Sequence, residues 1–189
     1  MEYKSLVKTN TEQFFKRLAE IAGRLGIPSE WLQHVMYSES GLSHIAVNSI
    51  GAVGLIQFTR STAKSLGTSA DALLKMSNVQ QLDYVEKYFK VQISVYGVPK
   101  SVVDCYILVF YPAMVRKGKD FALPDSMYAS NKGMDMNKDG KITRDDVKAY
   151  LEKRIGVKVS DSPGGTSKWP LLLIPLAVLL LSLTRSKIF

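Results

Sequence analysis

Glu39 closes an amphipathic run, Trp31-Leu-Gln-His-Val-Met-Tyr-Ser-Glu39, and a glycine-rich stretch, Asn48-Ser-Ile-Gly-Ala-Val-Gly-Leu-Ile-Gln57, follows it. A carboxyl at the end of an apolar helix sits where water is scarce. Desolvation disfavours its charged form, so its pKa is expected to rise. A carboxylic acid still protonated near neutral pH can donate a proton to a glycosidic oxygen, the central step in cutting a sugar chain. Most glycosidases add a second Asp or Glu across the sugar ring. Between residues 40 and 70 there is none, and the next acid is Asp71. Asp83, Glu86 and Asp104 are further off and lie in no motif.

A second constellation is Asp135-Met-Asn137-Lys-Asp139-Gly140-Lys141-Ile142-Thr143-Arg-Asp-Asp146. It fits the register of an EF-hand loop, with oxygen ligands at the first, third and fifth positions and Gly at the sixth for the sharp turn. Asp135, Asn137, Asp139, the Lys141 carbonyl and Asp146 are the expected ligands of a structural Ca2+, and Thr143 acts directly or through water. The twelfth position holds Asp146 rather than the longer Glu, which bears on the choice of Ca2+ over Mg2+.

The elements that must position these groups follow from periodicity. Phe14, Leu18, Ile21, Ala22 and Leu25 repeat at helical spacing over 11–25, with Gly26 as a stop. Pro28 suits the first turn of the next helix, whose apolar face, Leu32, Val35 and Met36, ends at Glu39. Residues 42–58 read as an irregular loop or short hairpin. Short helices are expected over 61–66 and 70–76. Ser77-Asn-Val-Gln80 is a capping box opening a helix to about Tyr96, with Val79, Leu82, Val85, Phe89 and Ile93 on one face. Ser101 opens another, stopped by Pro112. The chain order is nearly all helical.

The two stretches around Glu39 resemble the first two motifs of lysozyme-like lytic transglycosylases, Glu-Ser and Gly-Leu-Met-Gln. Here these are Glu39-Ser40 and Gly54-Leu-Ile-Gln57. An Ile27-Pro-Ser helix start, the Glu-Ser-Gly turn and Asn48 agree in order, so the resemblance covers roughly residues 26 to 66. It implies a mainly α, lysozyme-like (α+β) fold and a single catalytic Glu, here Glu39. That Glu protonates the leaving oxygen and then takes a proton from the sugar's own 6-hydroxyl, giving a 1,6-anhydro product. The substrate's N-acetyl group stabilises the cationic intermediate. Ser40 is then expected to position Glu39 or touch substrate, and Gln57 to lie in the sugar groove, with the glycines allowing close backbone approach. The third motif, Ala-Tyr-Asn-Ala-Gly, corresponds to Val109-Phe-Tyr111-Pro-Ala113. Tyr111 supplies the motif's Tyr, expected to hydrogen-bond near Glu39, and Pro112 replaces the Asn. Phe-Tyr-Pro-Ala here resembles phage-encoded members of the group.

Net charge is +8, which favours anionic partners such as the acidic cell wall. No nucleic-acid motif is present, and none is expected as a partner. Cys105 is the single cysteine, so no intrachain disulfide forms, and its apolar run marks it as a buried thiol. His34 and His44 have no metal-spaced partners. Met1-Glu-Tyr-Lys-Ser-Leu6 has no long apolar stretch after its charges, so no secretory signal is expected.

Trp169 to Thr184 is 16 uncharged residues between Lys168 and Arg185. As a helix it spans about 24 Å, short for a hydrocarbon layer of about 30 Å, but flanking cations snorkel and Trp169 suits the interface. The organisation expected is a catalytic domain over 1–130, an EF-hand-like module over 131–156, a polar linker over 157–168 and a C-terminal transmembrane anchor over 169–184. The expected partners are bacterial peptidoglycan and a lipid membrane. An enzyme so built suits a virion with an internal membrane, opening the cell wall at infection, or else a bacterial membrane facing the wall. Two other functions fit the residues: a hydrolytic, goose-type-like lysozyme on the same fold, and a non-catalytic wall-binding membrane protein.

Overall fold

The structure is a computed structural model that describes residues 3–160. Eight α-helices run through them: α1 (Thr11–Leu25), α2 (Ser29–Ser40), α3 (Arg60–Ser65), α4 (Ala70–Leu74), α5 (Asn78–Tyr96), α6 (Val102–Phe110), α7 (Asp125–Asn131) and α8 (Arg144–Ile155). Short 3-10 turns lie at Tyr3–Leu6, Pro112–Arg116 and Lys132–Met134. The β component is two isolated antiparallel bridges, Val47 with Val53 and Val53 with Phe58.

The apolar spacing of α1 buries Phe14, Leu18, Ile21, Ala22 and Leu25, the stripe read from the sequence. Gly26, at φ 71°, ends the helix by turning its N–H onto the Ala22 and Gly23 carbonyls. In α5 the capping box is present: Ser77 Oγ accepts from Gln80 N–H at 3.2 Å, and Gln80 Oε1 accepts from Ser77 N–H at 2.8 Å. Its Leu82, Val85 and Phe89 are buried, while Val79 and Ile93 are half-buried at the ends of the stripe. α1 packs on α5 and α2, and α2 packs on α6. α6 is buried from Val102 to Leu108, so it forms the middle of the core. Each large apolar side chain so enclosed, Phe89 for example, stabilises the fold by about 1.5–3 kcal/mol.

The expected module after residue 130 joins the same core. Ile142, Val147, Leu151 and Ile155 are buried in the cluster that holds the α1, α2 and α6 side chains. α8 packs directly on α2 and α6. Arg144, at the start of α8, pairs with Asp104 of α6 at 2.7 Å. Beyond α8, Val159 N–H and Lys158 Nζ bond the two Glu152 oxygens at 3.0 and 2.8 Å, drawing the first residues of the expected linker back along the helix.

Among the described residues no helix is long and apolar enough to cross a membrane. The anchor expected over 169–184 lies outside them.

Candidate active site

Glu39 stands in the last turn of α2, where Leu32, Val35 and Met36 enter the core and Gly41, at φ 63°, ends the helix. The carboxyl is half-buried. Its pKa is raised from the ordinary 4.5 to about 7: burial pushes it up, while a hydrogen bond from Tyr106 and the Arg154 cation pull it back. A group poised there can give and retake a proton at neutral pH.

The phenol at Glu39 belongs to Tyr106, on the inner face of α6, and not to Tyr111. Tyr106 is buried and its own pKa is raised well above the usual value, first by burial. Tyr111 follows the last residue of α6 and stacks on Phe121, with ring centres 6.3 Å apart and planes 5° apart. The two tyrosines sit in one apolar run: Tyr106 lies inside α6 and Tyr111 just past its last residue, on a different side of the helix. The side chains acting on the Glu39 carboxyl are a phenol and a guanidinium, with no second carboxylate among them. The more distant acids are committed to ion pairs. Asp83 meets Arg17 at 2.7 Å, Glu86 takes two bonds from Arg24 at 2.7 and 2.8 Å, and Asp104 meets Arg144. Arg24 holds the Glu86 carboxyl down at about 2.

Ser40 joins the two motifs. Its Oγ lies 2.9 Å from the Leu55 carbonyl and 3.0 Å from the Met36 carbonyl, so its single proton ties the end of α2 to the glycine-rich loop. That loop is a tight turn over Gly54–Gln57, closed by mutual backbone bonds between Val53 and Phe58 at 3.0 and 2.8 Å. Gln57 is held at φ 53°, a left-handed conformation that costs a side-chain-bearing residue about 1–2 kcal/mol. Its Nε2 donates to the Gly54 carbonyl at 3.0 Å.

Gln81 is missing from the sequence reading. This fully buried amide of α5 accepts from Leu55 N–H at 3.1 Å and donates to the His44 and Leu73 carbonyls at 2.6 and 2.7 Å. It clamps the whole loop from below. It also gives Gly54 a different reason from the expected approach to sugar: a Cβ there would stand 2.4 Å from Gln81 Oε1. The available signal was position, since Gln81 lies four residues before Val85 and eight before Phe89, on the stripe that enters the core.

Residues 17–95 match the Transglycosylase SLT domain family. The match covers 79 of the chain's 189 residues. Proteins of that family are lytic transglycosylases acting on peptidoglycan, and this chain is an enzyme of that kind. None of the curated proteins matches the chain. The SLT match takes in Glu39, Ser40, Gln57 and Gln81 but ends before Tyr106 and Arg154, so two of the groups at the acid come from outside it. Cys105, beside Tyr106, is buried, and burial pushes its thiol up, away from nucleophilic use.

The loop over residues 135–146 is held by hydrogen bonds to its own carboxylates and backbone. Gly140 turns at φ 83°, and Ile142 is fully buried, with its carbonyl bonded by Leu123 N–H at 2.9 Å. Asp135 accepts from Gly140 N–H at 3.0 Å and from Tyr128 at 2.7 Å, and the phenol holds its carboxyl below the usual range. Asp139 accepts from Lys141 N–H at 2.9 Å. Asp146 is buried and engaged on both oxygens: Met136 N–H at 3.0 Å on one, Thr143 N–H at 3.0 Å and Thr143 Oγ1 at 2.7 Å on the other. Among the described residues no three His, Cys, Asp or Glu side chains gather closely enough to hold a metal ion. The donors Asp135, Asn137, Asp139 and the Lys141 carbonyl are all hard oxygens, a set whose chemistry fits Ca2+. Asp146 serves here as a bracket between the start of the loop and the first turn of α8.

Proposed function

We propose that Glu39 is the single acid and base of a reaction that cleaves the MurNAc-GlcNAc β-1,4 bond without water. Protonated Glu39 gives its proton to the leaving glycosidic oxygen as the C1–O bond breaks. The carboxylate then takes the proton of the same sugar's 6-hydroxyl, whose oxygen bonds C1 and closes a 1,6-anhydro ring. The substrate's N-acetyl group bears the transient positive charge. The observation that carries this reading is the Glu39 carboxyl itself, raised to about 7 by burial and served by a phenol and a guanidinium rather than a second carboxylate. Tyr106 steadies the carboxylate between the two proton transfers, while Ser40 and Gln81 hold the loop that presents Gln57 to the glycan. Tyr111, stacked on Phe121, is the remaining side chain this reading assigns to the glycan. Glu39→Gln is expected to abolish lysis of purified cell walls while the fold stays intact; full lysis by that variant contradicts the reading.

The loop over residues 135–146 is a structural Ca2+ site in this reading, supported by its oxygen donors and its Gly140 turn. The apolar stretch over residues 169–184 anchors the enzyme in a lipid membrane, supported by its flanking Lys168 and Arg185 and by Trp169. The Phe-Tyr-Pro-Ala segment and that stretch together favour a virion with an internal membrane as the place where the enzyme works, opening the wall as infection begins. Its absence from purified particles would overturn that placement.

A further inference from the structure

α2 carries no basic residue in its last turn, although a helix C-terminus favours a cation and leaves its last carbonyls without helical partners. The carbonyls around Glu39 find theirs elsewhere. Tyr37 C=O accepts from Gly41 N–H at 2.9 Å, and Ser40 C=O accepts from Ser43 N–H at 3.2 Å. Ser38 C=O, directly before the acid, accepts from Arg154 Nη2 at 2.7 Å. Arg154 is an exposed residue of α8, carried there because Val147, Leu151 and Ile155 sink that helix against α2 and α6.

We propose that Arg154 is a positioning residue for the Glu39 reaction: from α8 it caps the catalytic helix, supplying the cation α2 lacks and fixing the backbone that carries the acid. The proposal rests on the reading of Glu39 as acid and base. Its reach differs from that of the neighbours. Tyr106 of α6 acts on the carboxyl by hydrogen bond, and Tyr88 of α5 feels its charge while its hydroxyl donates to the Leu108 carbonyl at 2.7 Å. Tyr150 of α8 reaches the site through the Tyr106 ring, 6.3 Å away. Arg154 is the cation acting on Glu39, and its charge favours the ionised carboxylate. The segment beyond the family match is therefore part of the machinery: if α8 slips, the capping bond and the charge leave together.

The test is a set of pH profiles of kcat and KM on uncrosslinked peptidoglycan strands, using the full chain with Arg154→Ala, Arg154→Gln and Arg154→Lys, and Glu39→Gln as control. Arg154→Ala is expected to lower kcat about tenfold with KM within about twofold, since a small displacement of the acid is costly. The alkaline limb of kcat should move up by roughly half a pH unit as the carboxyl loses its cation. Arg154→Gln, which keeps a donor without charge, should move the limb the same way, and Arg154→Lys should restore it. Should the alanine variant not fold, the glutamine and lysine pair carries the comparison. Profiles and kcat equal to wild type, with Glu39→Gln inactive, overturn the role of Arg154 and leave that of Glu39 standing. An active Glu39→Gln overturns both.

Discussion

The hydroxyl of Ser40 lies 2.9 Å from the carbonyl of Leu55, so the residue next to the acid is fastened to the middle of the Gly54–Gln57 turn. The two motifs that stand apart in sequence are thus one unit in space, with the α2 terminus on one side and the Gln81 amide beneath. Ser40→Ala removes the fastening and leaves a buried carbonyl unpaired. The expected loss is about 1–2 kcal/mol of stability, read by denaturant unfolding, and about tenfold in kcat/KM as the loop loosens against the acid. Unchanged kcat/KM would show that the loop keeps its place without Ser40.

Gly54→Ala meets two obstacles. The residue sits at φ 73°, and the new Cβ would lie 2.4 Å from Gln81 Oε1. The amide cannot simply swing away, because it is fully buried and its three hydrogen bonds tie the loop, at His44 and Leu55, to Leu73 of α4. We expect a loss of about 2–4 kcal/mol, or a Tm lower by about 5 °C or more for a chain of this size. A variant as stable as wild type would mean that Gln81 repacks freely.

Glu39 opposes folding above its unfolded pKa. The carboxyl titrates at about 7 in the fold against an ordinary 4.5. Below pH 4.5 it is neutral in both states and carries no penalty. As pH rises through this window the unfolded chain ionises first, and the stability tied to the neutral form is gone once pH passes 7. Glu39→Gln is therefore expected to be more stable than wild type by about 2 kcal/mol at pH 8 and near parity at pH 4, measured by denaturant midpoints. A difference independent of pH would place the titration elsewhere. Activity should fall on the alkaline side through pH 7, as the acid loses the proton it must donate.

Calcium should stabilise the full chain. At about 100 times Kd a ligand of the folded state adds about 2.7 kcal/mol, which raises Tm by about 5 °C or more here. Asp139→Ala should remove that response. Asp146→Ala should lower stability even without calcium, because the carboxyl bonds Met136 and Thr143 N–H groups. No Tm shift across millimolar Ca2+ would sink the site.

What the sequence made legible is what local pattern controls. The α1 stripe, the Ser77–Gln80 box and the end of the acid's helix follow from spacing and caps, and Glu39 stood out because a carboxyl closed an apolar face. The rest came from packing between distant segments. Tyr106 and Tyr111 are indistinguishable by composition; the first lies inside α6 and the second just past its end, on a different side of the helix. Gln81 and Arg154 act on backbone carbonyls, which carry no side-chain signature to search for. Arg154 reaches Ser38 across 116 positions, because the apolar stripe of α8 lays it over α2.

The central claim is that one carboxyl does both proton transfers and water takes no part. Digestion of purified peptidoglycan by the full chain, followed by mass spectrometry of the fragments, tests it most directly. Products ending in 1,6-anhydro-MurNAc, lighter by one water than hydrolysed ends and missing with Glu39→Gln, are the predicted result. Reducing MurNAc ends would contradict it, and would require a water-activating base that the ion-paired Asp83, Glu86 and Asp104 do not supply.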